Sequence, residues 1–163
     1  MKRFICMFLT AVMALGLFGC ADGGSKHGRN DSGKAAKISI EDIKENDGVM
    51  LEIVCTPRLP MPEDEFRKSY IYVDYSGRTY DPDQGISALL KDKDLMTIYE
   101  FCVDAYENNT FDGYNEEVCD GVTYEFTFFD TDGEAHVIFE DAYCYNNLKI
   151  QKIFNVLGKY SYD

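Results

Sequence analysis

Two apolar periods alternate along this chain, and each marks a kind of element. In Val49 to Cys55 the odd positions Val49, Leu51, Ile53 and Cys55 are apolar while Glu52 interrupts the other side, which predicts a strand with its odd face inward and Cys55 in the core. Ser69 to Tyr75 and Arg78 to Asp81 flank Ser76-Gly77, a tight-turn pair, and predict two further strands that end at Pro82. The period then changes. Between Lys91 and Asn108 the residues Leu95, Ile98, Tyr99, Cys102, Ala105 and Tyr106 recur at i, i+3, i+4, i+7, i+10 and i+11, the stripe of an amphipathic helix, with Asp92 or Asp94 as its cap and Asn108-Asn109 as a left-handed stop. A second helix follows Asn146-Asn147, with Ile150, Ile153, Phe154 and Leu157 on one face and Lys149, Lys152 and Lys159 elsewhere, and ends at Gly158. Ser39 with Asp42 three residues on predicts a capped helical turn over Ile40 to Glu45.

The segment from Val122 to Tyr145 reads as a hairpin. Val122, Tyr124, Phe126 and Phe128 alternate with polar residues, and beyond the turn Asp130-Thr131-Asp132-Gly133 the apolar odd positions are Ala135, Val137 and Phe139. A four-residue turn sets Phe129 opposite Glu134, Phe126 opposite Val137 and Tyr124 opposite Phe139. That register puts Thr123, Glu125, Thr127, His136, Ile138 and Glu140 on the wet face. Carried to the base of the hairpin, the same register sets Cys119 opposite Cys144 and suggests a cross-strand disulfide between them. Tyr70 to Gly77 and Phe126 to Gly133 align in aromatic pattern, each hairpin followed by a helix, which raises a duplicated hairpin-helix unit. Together these elements predict one α+β domain over residues 38–163, an antiparallel sheet of four to five strands with two helices packed on one face.

The segment before that domain has a different composition. Lys2 and Arg3 precede an apolar run from Phe4 to Phe18, and Gly19-Cys20 closes it, the layout of an export signal too short to favour a membrane span. Leu17-Phe18-Gly19-Cys20 resembles the lipobox of bacterial lipoprotein precursors. The resemblance covers residues 1–20 and implies cleavage before Cys20, lipid attachment at Cys20, and anchoring on the outer side of a bacterial membrane. Residues 20–37, rich in Gly and polar residues without apolar periodicity, read as a flexible tether.

Loss of Lys2 and Arg3 with residues 1–19 takes the net charge from -13 to -15. So anionic a domain disfavours nucleic acid as a partner, because binding phosphates needs clustered Lys and Arg. Export also decides how the cysteines are read. Of six, Cys6 leaves with the signal and Cys20 takes the lipid, which leaves Cys55, Cys102, Cys119 and Cys144 as disulfide candidates in an oxidising compartment. Cys55 on a strand face and Cys102 on a helix stripe form the second candidate pair, two buried free thiols being the plain alternative.

Candidate chemistry is sparse. His136 is the domain's single histidine, and no nucleophile elbow, paired histidines or glycine-rich phosphate loop accompanies it. No catalytic residue and no cofactor is assigned. Asp130, Asp132 and Glu134 around Gly133 are the tightest acidic group, a weak metal candidate that turn chemistry explains equally well. The wet-face residues Thr127, His136 and Ile138 are the binding candidates, and the Pro57-Pro60-Pro62 loop before Ser69 is a second surface. The expected function is a non-catalytic binding or interaction module with a protein or small-molecule partner. A small envelope enzyme using loop carboxylates and a purely structural lipoprotein are the alternatives.

Overall fold

The computed structural model describes residues 38–58, 67–118 and 121–161. The signal segment, Cys20, the tether, the centre of the Pro-rich loop and Cys119 lie outside the described residues. The architecture is α+β, built on a six-stranded antiparallel sheet. In chain order come α1 (Ile40–Lys44), β1 (Val49–Arg58), β2 (Ser69–Asp74), β3 (Arg78–Asp81), β4 (Ile86–Leu89), α2 (Asp92–Asn108), β5 (Gly121–Phe129), β6 (Ala135–Ala142) and α3 (Leu148–Leu157). The strands lie in the order β4-β3-β2-β1-β5-β6, so β2 and β1 are central and β4 and β6 are edges.

Local signals formed the helices as expected. Ser39 and Asp42 make a reciprocal capping box on α1, Asn109 stops α2 with φ 47°, and Asn147 caps α3 by accepting from the Lys149 and Ile150 N–H groups. The cap of α2 differs. Lys91 occupies the N-cap without a side-chain bond, and Asp94 turns instead to the Tyr160 hydroxyl at 2.7 Å and Lys159 Nζ at 3.0 Å, tying the start of α2 to the 3-10 turn that follows α3.

Two strand expectations are corrected. β4 extends the sheet to six strands where four or five were expected, and α1 makes three helices. β1 also continues through Pro57 to Arg58. Its pairing with β2 ends at Cys55 opposite Ser69, whereas pairing with β5 continues to Arg58 opposite Gly121, so Pro57 lies where the strand has a neighbour on one side only.

The hairpin register is a third correction, and it has the largest consequence. Phe129 pairs with Ala135, Phe128 with His136 and Thr127 with Val137, one residue later on β6 than a four-residue turn gives. Asp130 causes the longer turn: its N–H donates to the Glu134 carbonyl, and its Oδ1 accepts from the N–H groups of Asp132 and Glu134. A slip of one residue exchanges the faces of a strand. Val137 therefore points to solvent while Ile138 is buried. Bulges then restore Phe139 to the core opposite Phe126 and bring Ala142 opposite Tyr124. That offset removes the register argument for a Cys119–Cys144 bond, Cys119 itself lying outside the described residues. Cys55, Cys102 and Cys144 are free thiols.

All three helices bury their apolar sides against one face of the sheet. Ile43, Leu95, Ile98, Ile150 and Ile153 share a single cluster with Leu51, Ile53, Val73, Phe126 and Phe128. Tyr99 and Phe101 of α2 contact Phe128 and Phe126, and Phe154 of α3 contacts Tyr124 and Phe126. This arrangement also overturns the duplicated unit. β2 and β5 both run antiparallel to β1, yet β3 and β6 lie on opposite outer sides, with both helices on one face. Laying one unit on the other would preserve strand direction and face while exchanging left for right, which no rotation achieves.

Candidate functional site

One sheet face packs beneath the helices, and the described residues leave the other uncovered. Alternation along β1, β2, β3 and β5 directs Glu52, Val54, Thr56, Arg58, Tyr70, Tyr72, Arg78, Tyr80, Thr123, Glu125 and Thr127 to this second face. Val54 is buried there without joining the core cluster, and Tyr70, Tyr72 and Tyr80 do not pack against that cluster either. Small side chains in the middle of the face are sunk between long ones, which is why Thr123 and Thr127 are also buried.

The three tyrosines form one row. Tyr72 stacks on Tyr80 across the strands with centroids 4.9 Å apart and on Tyr70 along β2 at 6.2 Å. Stacked in this way, the half-buried rings restrict one another's rotamers. Burial first, and then the neighbouring Glu52 carboxylate, pushes the Tyr72 phenol above its usual pKa. At the far end of the same face Arg58 donates from Nε to Thr123 Oγ1 at 3.2 Å and forms an ion pair with Asp141, whose other carboxylate oxygen accepts from Thr123. Arg78 donates to Ser87 on β4 at 2.9 Å.

The binding candidates read from sequence divide. Thr127 is on the uncovered face but recessed. His136 and Ile138 belong to the covered side, Ile138 in the core and His136 at its edge. The sequence reading passed over the tyrosine row, although Tyr70-Ile71-Tyr72-Val73 carries the signal, since Ile71 and Val73 inward force both tyrosines outward.

A second constellation sits where the Asp130 turn meets the end of α2. Tyr106 of α2 stacks on the His136 ring at 4.1 Å, Phe128 lies beside it at 6.4 Å, and His136 Nε2 is 2.8 Å from Asp130 Oδ2. The hydrogen bond with His136 is the main cause holding the Asp130 carboxyl below its usual range, with the two turn N–H groups adding to it. Ligand atoms of Asp130, Glu134 and His136 all lie within 4.8 Å of one another. Of the acidic trio proposed from sequence, Asp130 and Glu134 converge, and His136 takes the place expected for Asp132, which contributes only its backbone N–H. The one-residue slip of β6 brings His136 round to this side, so the hairpin pattern alone did not reveal the grouping.

Other acidic residues serve the framework. Glu116 accepts from the Asn146 backbone N–H at 2.8 Å, the Asn146 amide at 3.0 Å and the Tyr114 hydroxyl at 2.7 Å, fastening the loop after α2 to the start of α3. No protein-family model, curated protein or solved structure matches the chain.

Proposed function

We propose that this chain is an exported, lipid-anchored, non-catalytic module of a bacterial envelope. It is held to the membrane through Cys20 and a tether over residues 20–37, and its uncovered sheet face binds a protein partner. The composition of that face is the observation that carries the reading. Tyr70, Tyr72 and Tyr80 form a row across β2 and β3 and Arg58 and Arg78 stand near the ends of the face, whereas the described lysines, at 44, 68, 91, 93, 149, 152 and 159, lie on helices and loops. Enrichment in tyrosine and arginine with depletion of lysine distinguishes protein-binding surfaces from ordinary ones. The stacked rings also lose little rotamer freedom on binding, which favours affinity. The anchor rests on the lipobox-like residues at 17–20.

The test is site-directed photo-cross-linking of the full-length protein in its own cells, with the probe at Tyr72 and, as control, at Lys93 at the start of α2. A discrete protein adduct from position 72, absent from position 93 and lost in Arg58→Ala or Tyr80→Ala variants of unchanged melting, is the expected result. Equal adducts from both positions would refute the face assignment. In parallel, Cys20→Ala is expected to abolish lipid labelling and release the protein from the membrane fraction.

A further inference from the structure

We propose that Asp130, Glu134 and His136 form a binding site for one divalent transition ion of the zinc class. Each of the three offers a ligand atom, and these atoms fall within 4.8 Å of one another. Ligands on a zinc ion with bonds of about 2.0–2.2 Å sit closer together than this, so closing the set needs only side-chain adjustment. Two of the three are already positioned. The imidazole stacks on Tyr106 with Phe128 beside both rings, and Asp130 is fixed through Oδ1 by the Asp132 and Glu134 N–H groups, which leaves Oδ2 turned towards the His136 Nε2 atom at 2.8 Å.

Glu134 supplies the third ligand atom from the other end of the turn. Its residue is exposed and its carboxylate accepts no hydrogen bond among the described residues, yet a carboxylate oxygen lies within 4.8 Å of the ligand atoms of both Asp130 and His136. A nitrogen donor decides the class of ion. Calcium takes six to eight oxygen ligands, whereas an imidazole with two carboxylates and an open position suits zinc and its neighbours. On binding, the imidazole stays neutral with its proton on Nδ1, and Nε2 gives its lone pair to the ion in place of its contact with Asp130.

Zinc titration of the full-length chain by calorimetry tests the site, with cobalt absorption as a second readout. One saturable zinc event is expected, weakened at least tenfold, about 1.4 kcal/mol, by His136→Ala and by Glu134→Gln and unchanged in Asp132→Asn. Bound cobalt should show its visible bands without a thiolate charge-transfer band, since no cysteine belongs to the set. A melting curve for each variant separates loss of ligand from loss of fold. No saturable binding, an event that survives His136→Ala in the folded variant, or a thiolate band lost together with binding would overturn the assignment. None of these outcomes bears on the sheet face, so this proposal and the proposed function fail independently.

Discussion

The slip of β6 makes neighbouring residues energetically opposite, and a pair of truncations measures it. Ile138 is 7% exposed and Val137 is 57% exposed. Replacing Ile138 by Ala removes three carbons almost wholly withdrawn from water, about 2 kcal/mol of transfer free energy, and a partly collapsed cavity raises the cost to about 3 kcal/mol. Replacing Val137 by Ala removes two carbons that are less than half withdrawn, which caps its cost at about 0.7 kcal/mol. Urea unfolding followed by far-UV circular dichroism measures both, provided the m-value stays constant so that shifts in midpoint report stability alone. A difference of about 2 kcal/mol, with Ile138→Ala the more damaging, is expected from the transfer and cavity terms. Equal costs, or a larger cost at Val137, would refute the five-residue turn and restore the register that hydrophobic alternation alone suggests.

Thiol reactivity and acid stability give two further tests. Burial raises the pKa of all three described thiols, Cys144 to about 12, and Cys102 has no exposed surface. Half-buried Cys55 should therefore be alkylated first and Cys102 only as fast as the protein unfolds, read by mass spectrometry of peptides. If neither Cys55 nor Cys102 labelled after unfolding without reductant, the free-thiol assignment would fail. The carboxyl of Asp94 is lowered by the Tyr160 hydroxyl and then Lys159, and that of Asp104 by Lys149 first. Because these folded-state values lie below the unfolded ones, the stability they add is whole above the unfolded pKa and is lost as pH falls through the folded pKa. Urea midpoints should thus decline below about pH 4, with a shallower decline in Asp94→Asn. A decline of unchanged slope in that variant would show that Asp94 carries none of it.

Much of this fold was legible in the chain because its signals are local. The Ser39-Asp42 capping box, the Asn109 stop, the Asn147 cap and both helical stripes each depend on residues within one or two turns, so the sequence alone specifies them. The inward face of β1 and the helix-on-one-face arrangement follow from period alone. β4 was missed because four residues after Gly85, half of them short, carry little pattern. The tyrosine row was visible as alternation, but its meaning was not: only pairing of Tyr72 with Tyr80 makes one surface of two strands.

What the sequence determined by itself is the class of fold, the positions of the helices and the polarity of the central strands. Its lipobox-like residues also determined the expectation of a membrane anchor. Tertiary structure decided the register of the last hairpin, and with it whether His136 faces water beside Thr127 or the Asp130 turn beneath Tyr106. The physical reason is the strand period of two. A single residue in a turn changes no propensity and little hydrophobicity, yet it exchanges every side chain beyond it between the two faces. Only the Asp130 hydrogen bonds and the fit of Ile138 into the core choose between those arrangements.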